Sequence, residues 1–172
     1  MGATKTKHFA YLAMLCAMAI TLNMIESLYI GAMPFGIRLG LANIIALITI
    51  ELLGVKDMII VNIMRVMIGS LLRGYIFGST FWISFGGVLL SSIVLIIMDK
   101  VHASLMFTSV VSALAHSTGQ VFVVMYFYQQ AAVAAILPYL FLGSIPTGIL
   151  TGYVAKMVLK HIKPLKKNIP TN

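Results

Sequence analysis

Val55-Lys-Asp-Met-Ile-Ile-Val-Asn-Ile-Met-Arg-Val-Met-Ile-Gly-Ser-Leu-Leu-Arg-Gly74 is apolar enough to lie in a bilayer, yet Arg65 stands near its middle. A charge at bilayer depth costs about 2.5–3.5 kcal/mol on insertion scales. An arginine in such a helix therefore faces a cavity or a partner rather than lipid, and it marks a functional site by default. The reading of the whole chain turns on what Arg65 faces.

The chain of 172 residues is 60% apolar and only 9% charged, with a mean hydropathy of +1.03. Soluble domains carry roughly 25% charged residues. So few charges cannot cover a water-facing surface. The apolar runs are continuous rather than alternating, which excludes a membrane barrel. The class is all-α: a single integral membrane domain over residues 1–172. At about 20 residues per span, the length allows six helices. They are read at about 8–30, 39–54, 56–72, 80–98, 104–128 and 132–160. The second is short for a span, and Pro138 and Pro146 are placed to delay or kink the sixth. Gly86-Gly87 inside the fourth reads as close helix packing rather than a break. The first apolar run is too long for a signal-peptide core and reads as a retained helix.

Charge sets the expected topology. The formal charge is +8, but the basic residues gather at the helix ends and chain termini, so they point to membrane orientation and not to nucleic acid. With six helices, one side collects nine lysines: Lys5, Lys7, Lys56, Lys100, Lys156, Lys160, Lys163, Lys166 and Lys167. The other side holds Arg38 and Arg73. The positive-inside rule places both termini in the cytoplasm of a cell-membrane protein. The single cysteine, Cys16, excludes an internal disulfide and a cysteine-based zinc cluster.

That topology gives each polar residue a depth. Glu26 lies one turn from the outer end of the first helix, with Asn23 on the same face. Asn43 lies just inside the second helix, behind Arg38. Arg65 and Arg73 are eight residues apart on the third helix, within about 80° of each other. His116 and Gln120 share a face of the fifth. Trp82 and Tyr139 belong to the outer ends of the fourth and sixth. The inner half offers Glu51 and little else. The expected site is an outward cavity lined by Arg65, His116, Gln120, Asn43, Glu26, Arg38, Arg73, Trp82 and Tyr139. Three arginines against one glutamate favour an anionic group on a small-molecule ligand, and the apolar walls favour a hydrophobic body on it. Plainer roles compete: an Arg65–Glu26 ion pair, arginines snorkelling to headgroups, an interfacial aromatic belt, and a packing role for His116. Ala10, Ala13 and Ala17 form a small-residue face on the first helix that suits internal packing or the approach of a partner helix.

Several chemistries lack their motifs. The chain has no Gly-x4-Gly-Lys-Ser/Thr loop and no His-Glu-x-x-His. No aspartate pair is present to hold magnesium for prenyl transfer, and no aspartate lies at outer depth to complete a serine triad. No metal site or cofactor is expected; haem at His116 is the one exception considered.

Glu26-Ser-Leu28, Arg38-Leu-Gly-Leu-Ala-Asn43, Arg65-Val-Met-Ile-Gly69 and Ala115-His-Ser-Thr-Gly-Gln120 resemble the membrane proteins named heptaprenyl diphosphate synthase component I, also called the Gx transporter family. The resemblance runs from about residue 10 to 158. The family more often carries Lys at the place of Arg38 and Asn at that of Ser117. It is in turn similar to the substrate-binding S components of energy-coupling factor (ECF) transporters. That likeness implies six helices, an outward pocket and docking on a transmembrane coupling subunit through small residues such as Ala13 and Ala17. Two cytoplasmic ATPases would drive the complex. The expected function is therefore substrate capture for such an importer. The alternative is a non-catalytic membrane component of heptaprenyl diphosphate synthase in menaquinone side-chain synthesis. Neither makes the chain itself an enzyme.

Overall fold

The computed structural model describes residues 2–29 and 40–162, and all regular structure among them is helical. Six α-helices follow one another: α1 (Gly2–Tyr29), α2 (Leu41–Leu52), α3 (Val55–Leu72), α4 (Ser79–Lys100), α5 (Leu105–Tyr128) and α6 (Leu137–Ile162). A 3₁₀ turn over Ala131–Ile136 leads into α6. Pro138 falls in the first turn of α6, where its missing N–H has no helical partner to lose. It delays the helix beyond the expected start at 132. Pro146 is carried inside α6.

Four segments are long and apolar enough to cross a membrane: Lys5–Leu28, Ser79–Lys100, Leu105–Tyr128 and Ala131–Ile162. The six expected helices are all present, and these four meet that measure. At 1.5 Å per residue, the twelve residues of α2 reach only about 18 Å, well short of a hydrocarbon core of about 30 Å. Nine of those twelve are buried, so protein rather than lipid surrounds this helix. The eighteen residues of α3 carry Lys56, Asp57 and Arg65, too much charge for a plain span.

The apolar core surrounds the second half of α2. Ile44 to Ile48, Ile50, Leu52 and Leu53 pack with Leu15 and Ala19 of α1, Met58 and Val61 of α3, Leu95 of α4, and Ala155 and Leu159 of α6. A smaller cluster of Val66, Phe81 and Val88 joins α3 to α4.

Two crossings depend on glycine. A Cβ on Gly119 would stand 2.4 Å from the Gly86 carbonyl oxygen, and one on Gly148 would meet the Val110 backbone at 2.8 Å. Gly86-Gly87 is thus a packing surface, as read from the sequence, and the backbones of α4 and α5 touch there. Such contacts suit helices in lipid, where small residues let backbones approach.

Polar bonds tie helices at every level. His8 Nε2 and Asp57 Oδ2 lie 3.1 Å apart, joining the starts of α1 and α3. Buried Asn62 donates to Ser92 of α4 at 2.8 Å. Ser109 of α5 donates to the Gly148 carbonyl of α6 at 2.7 Å. A hollow lined by Glu51, Asp99 and His102 opens between α2, α4 and α5. The end of the bundle that holds the chain termini is therefore more polar than Glu51 alone.

Candidate functional site

α3 supplies the charged wall of a cavity at the other end. Arg65 is 2% exposed, and its Nη2 donates to Asn43 Oδ1 in the first turn of α2 at 2.9 Å. Two turns further on, Arg73 Nε donates to the Gly69 carbonyl at 2.8 Å and Nη2 to Asn23 Oδ1 of α1 at 2.9 Å. The Arg73 guanidinium also lies 4.9 Å from the centre of the Tyr75 ring, within cation–π range. Gly69 makes room for this arrangement, because a Cβ there would come within 3.3 Å of Arg73 Nη2.

Glu26, buried near the end of α1, accepts a hydrogen bond from the Gly40 N–H. Gly40 has φ +71°, a left-handed conformation that favours glycine. The entry to α2 is thereby pinned to α1, and Asn43 is set one turn in, against Arg65.

His116 and Gln120 enter from α5. A Cβ on Gly87 would meet Gln120 Cγ at 2.7 Å and the His116 ring at 3.0 Å. The missing side chain of Gly87 is what lets both lie against α4. From α6, Ser144, Thr147 and Thr151 complete the wall, and Ser144 Oγ bonds Ser117 Oγ at 2.7 Å.

All six helices contribute to this one cavity, whose empty volume is about 770 Å³ with its open mouth included. Asn23, Glu26, Asn43, Arg65, Arg73, His116 and Gln120 line it together. Two arginines against one glutamate give the wall a positive balance. No group of three or more His, Cys, Asp or Glu side chains is arranged to hold a metal ion among the described residues.

Two expected members stand elsewhere. Trp82 lines a separate apolar groove with Phe85, Phe122 and Tyr126 on the outside of the α4–α5 pair. Ser84 and Val88 take the cavity side of α4, and Trp82 falls on the other side of that helix. Tyr139 is 56% exposed and outside the lining, one residue before Leu140, which does line it. Arg38 lies outside the described residues. Ala10, Ala13 and Ala17 are exposed along α1, so internal packing does not cover that face.

The hydroxyls Ser70, Ser84, Ser144, Thr147 and Thr151 were missed as lining residues. The spacing 144, 147, 151 carried a usable signal, since it puts three polar groups on one helix face. Ser70 and Ser84 stand singly among apolar neighbours and carried none.

A polytopic helical membrane protein with a buried, positively charged, hydrogen-bonding cavity is the class these observations define. A family model described as heptaprenyl diphosphate synthase component I matches residues 15–158. The chain belongs to that family. No curated protein and no solved structure matches it.

Proposed function

We propose that this chain is a non-catalytic membrane subunit that holds a small, anionic, partly hydrophobic ligand in the cavity between its six helices. The observation that carries the reading is Arg65: a guanidinium 2% exposed, bonded to Asn43, in the wall of a cavity shared with Arg73, His116 and Gln120. An ionised side chain held inside a membrane bundle marks a functional site by default, and a guanidinium in a cavity wall is suited to an anionic group. In this reading Arg65 and Arg73, with Arg38, bind the acidic group, and His116, Gln120, Asn43 and Glu26 shape the site. The concentration of lysines where α1, α3, α4 and α6 have their terminal-side ends supports cytoplasmic termini and a cavity toward the outer leaflet.

Membership of the family supports service beside a prenyl diphosphate synthase, with the cavity receiving a prenyl-phosphate-like group and the synthase providing the chemistry. The exposed face at Ala10, Ala13 and Ala17 favours a second reading, in which this subunit docks on a transmembrane coupling subunit of an ECF importer and two ATPases drive release inside.

Affinity purification from native membranes separates the two. Ala13→Trp is expected to remove a membrane-embedded partner if the importer reading holds. The pair Lys156→Glu and Lys160→Glu is expected to remove a soluble synthase if the other does. A partner set unchanged by both variants contradicts each assignment.

A further inference from the structure

Three acceptor oxygens of the cavity wall are engaged within the protein. Asn43 Oδ1 accepts a hydrogen bond from Arg65, Asn23 Oδ1 one from Arg73, and Glu26 Oε1 one from the Gly40 N–H. Most hydroxyls are engaged as well. Ser117 and Ser144 bond each other, Thr147 donates to the Gly143 carbonyl, and Thr151 bonds Ser109.

Ser70 Oγ of α3 and Ser84 Oγ of α4 differ. Both residues line the cavity, at 1% and 5% exposure. Neither hydroxyl has a hydrogen-bond partner among the described residues. A hydroxyl that has left water without gaining a partner is unfavourable, and folded proteins leave few of them. Here two occur on neighbouring helices of one cavity. Ser70 lies three residues before Arg73, on the same face of α3.

We propose that Ser70 and Ser84 are ligand contacts, their hydroxyls donating to oxygens of the anion that Arg65 and Arg73 neutralise. This deepens the proposed function and rests on it. The geometry also narrows the ligand class. The wall presents hydroxyl donors from α3 and α4 at once, beside the guanidinium groups of α3. A carboxylate offers two oxygens in one plane, which a single guanidinium fork satisfies. A phosphoryl group offers three strong acceptor oxygens pointing different ways. The class that fits is a phosphate or diphosphate ester.

The test uses the full chain in detergent, titrated calorimetrically with sodium diphosphate and, in parallel, with sodium succinate. The wild type is expected to bind diphosphate at least tenfold more tightly than succinate. Ser70→Ala and Ser84→Ala are each expected to weaken diphosphate binding about five- to tenfold and succinate binding less than twofold. Because neither hydroxyl is bonded in the empty protein, both variants should keep or raise the melting temperature measured without ligand. Diphosphate affinity retained in both variants overturns this inference alone. So does a lowered melting temperature that accompanies weaker binding, since that marks a structural role. A wild type that binds neither anion overturns the proposed function and this inference with it.

Discussion

Asn43 and Ile45 stand two residues apart on α2 and serve different chemistries. Asn43 meets a guanidinium in the wall of a polar cavity. Ile45, 2% exposed, is packed in an apolar core that draws on five helices. The same short helix thus roots a site at one end and a scaffold at the other. A helix of twelve residues can do this because the longer α4, α5 and α6 face the lipid in its place. What the contrast teaches is a division of labour: the terminal half of the bundle holds the helices in register, and the cavity half uses that register to keep charges where lipid cannot reach them.

Three substitutions probe that division, beginning with the largest effect. Ile45→Ala empties volume in the scaffold half and is expected to lower stability by about 2–5 kcal/mol, read by thermal unfolding in detergent. The affinity for diphosphate of the protein that remains folded should be unchanged; a parallel loss of affinity would merge the two halves into one unit. Arg65→Ala reverses the pattern. Truncating one partner of a buried charged hydrogen bond costs about 2–5 kcal/mol in binding, a loss of ~30-fold or more, while expression stays intact. Undiminished affinity in a titration removes Arg65 from the site. Gly119→Ala falls at the α4–α5 crossing, beside His116 and Gln120. Its Cβ would press on the Gly86 carbonyl, and overpacking of this kind costs about 1–3 kcal/mol. As α4 and α5 part, His116 and Gln120 shift, so both melting temperature and affinity should fall together. A change in only one of them would show that the crossing does not position the site.

Much of this contrast was legible in the sequence, and the reason is cost. A charge or amide among apolar residues is expensive unless used, so Arg65, Asn43, Glu26, His116 and Gln120 announced themselves, and period 3.6 placed them on facing sides. Gly86-Gly87 was legible for a similar reason, since two adjacent glycines in an apolar helix need a neighbour to fill the gap. Aromatic residues carry no such signal. Trp82 and Tyr139 are at home against lipid or ligand alike, and only helix rotation decides between them. The completeness of each span was also hidden. A run of isoleucines and leucines reads the same whether lipid or protein surrounds it, and α2 turned out to be wrapped by its neighbours. His8 and Asp57 are 49 positions apart, and no local pattern connects them. Asn62 sat in the same quoted stretch as Arg65, but its partner Ser92 lies on another helix and is too common a residue to draw notice.

The central claim is that the cavity around Arg65 exists to hold an anion. Mass spectrometry of the small molecules that co-purify with the wild-type protein and with Arg65→Ala, extracted side by side in mild detergent, tests it most directly. The account predicts an anionic, phosphorylated amphiphile retained by the wild type and lost from the variant. The same small molecules in equal amount from both proteins, or no anionic species from either, would contradict it.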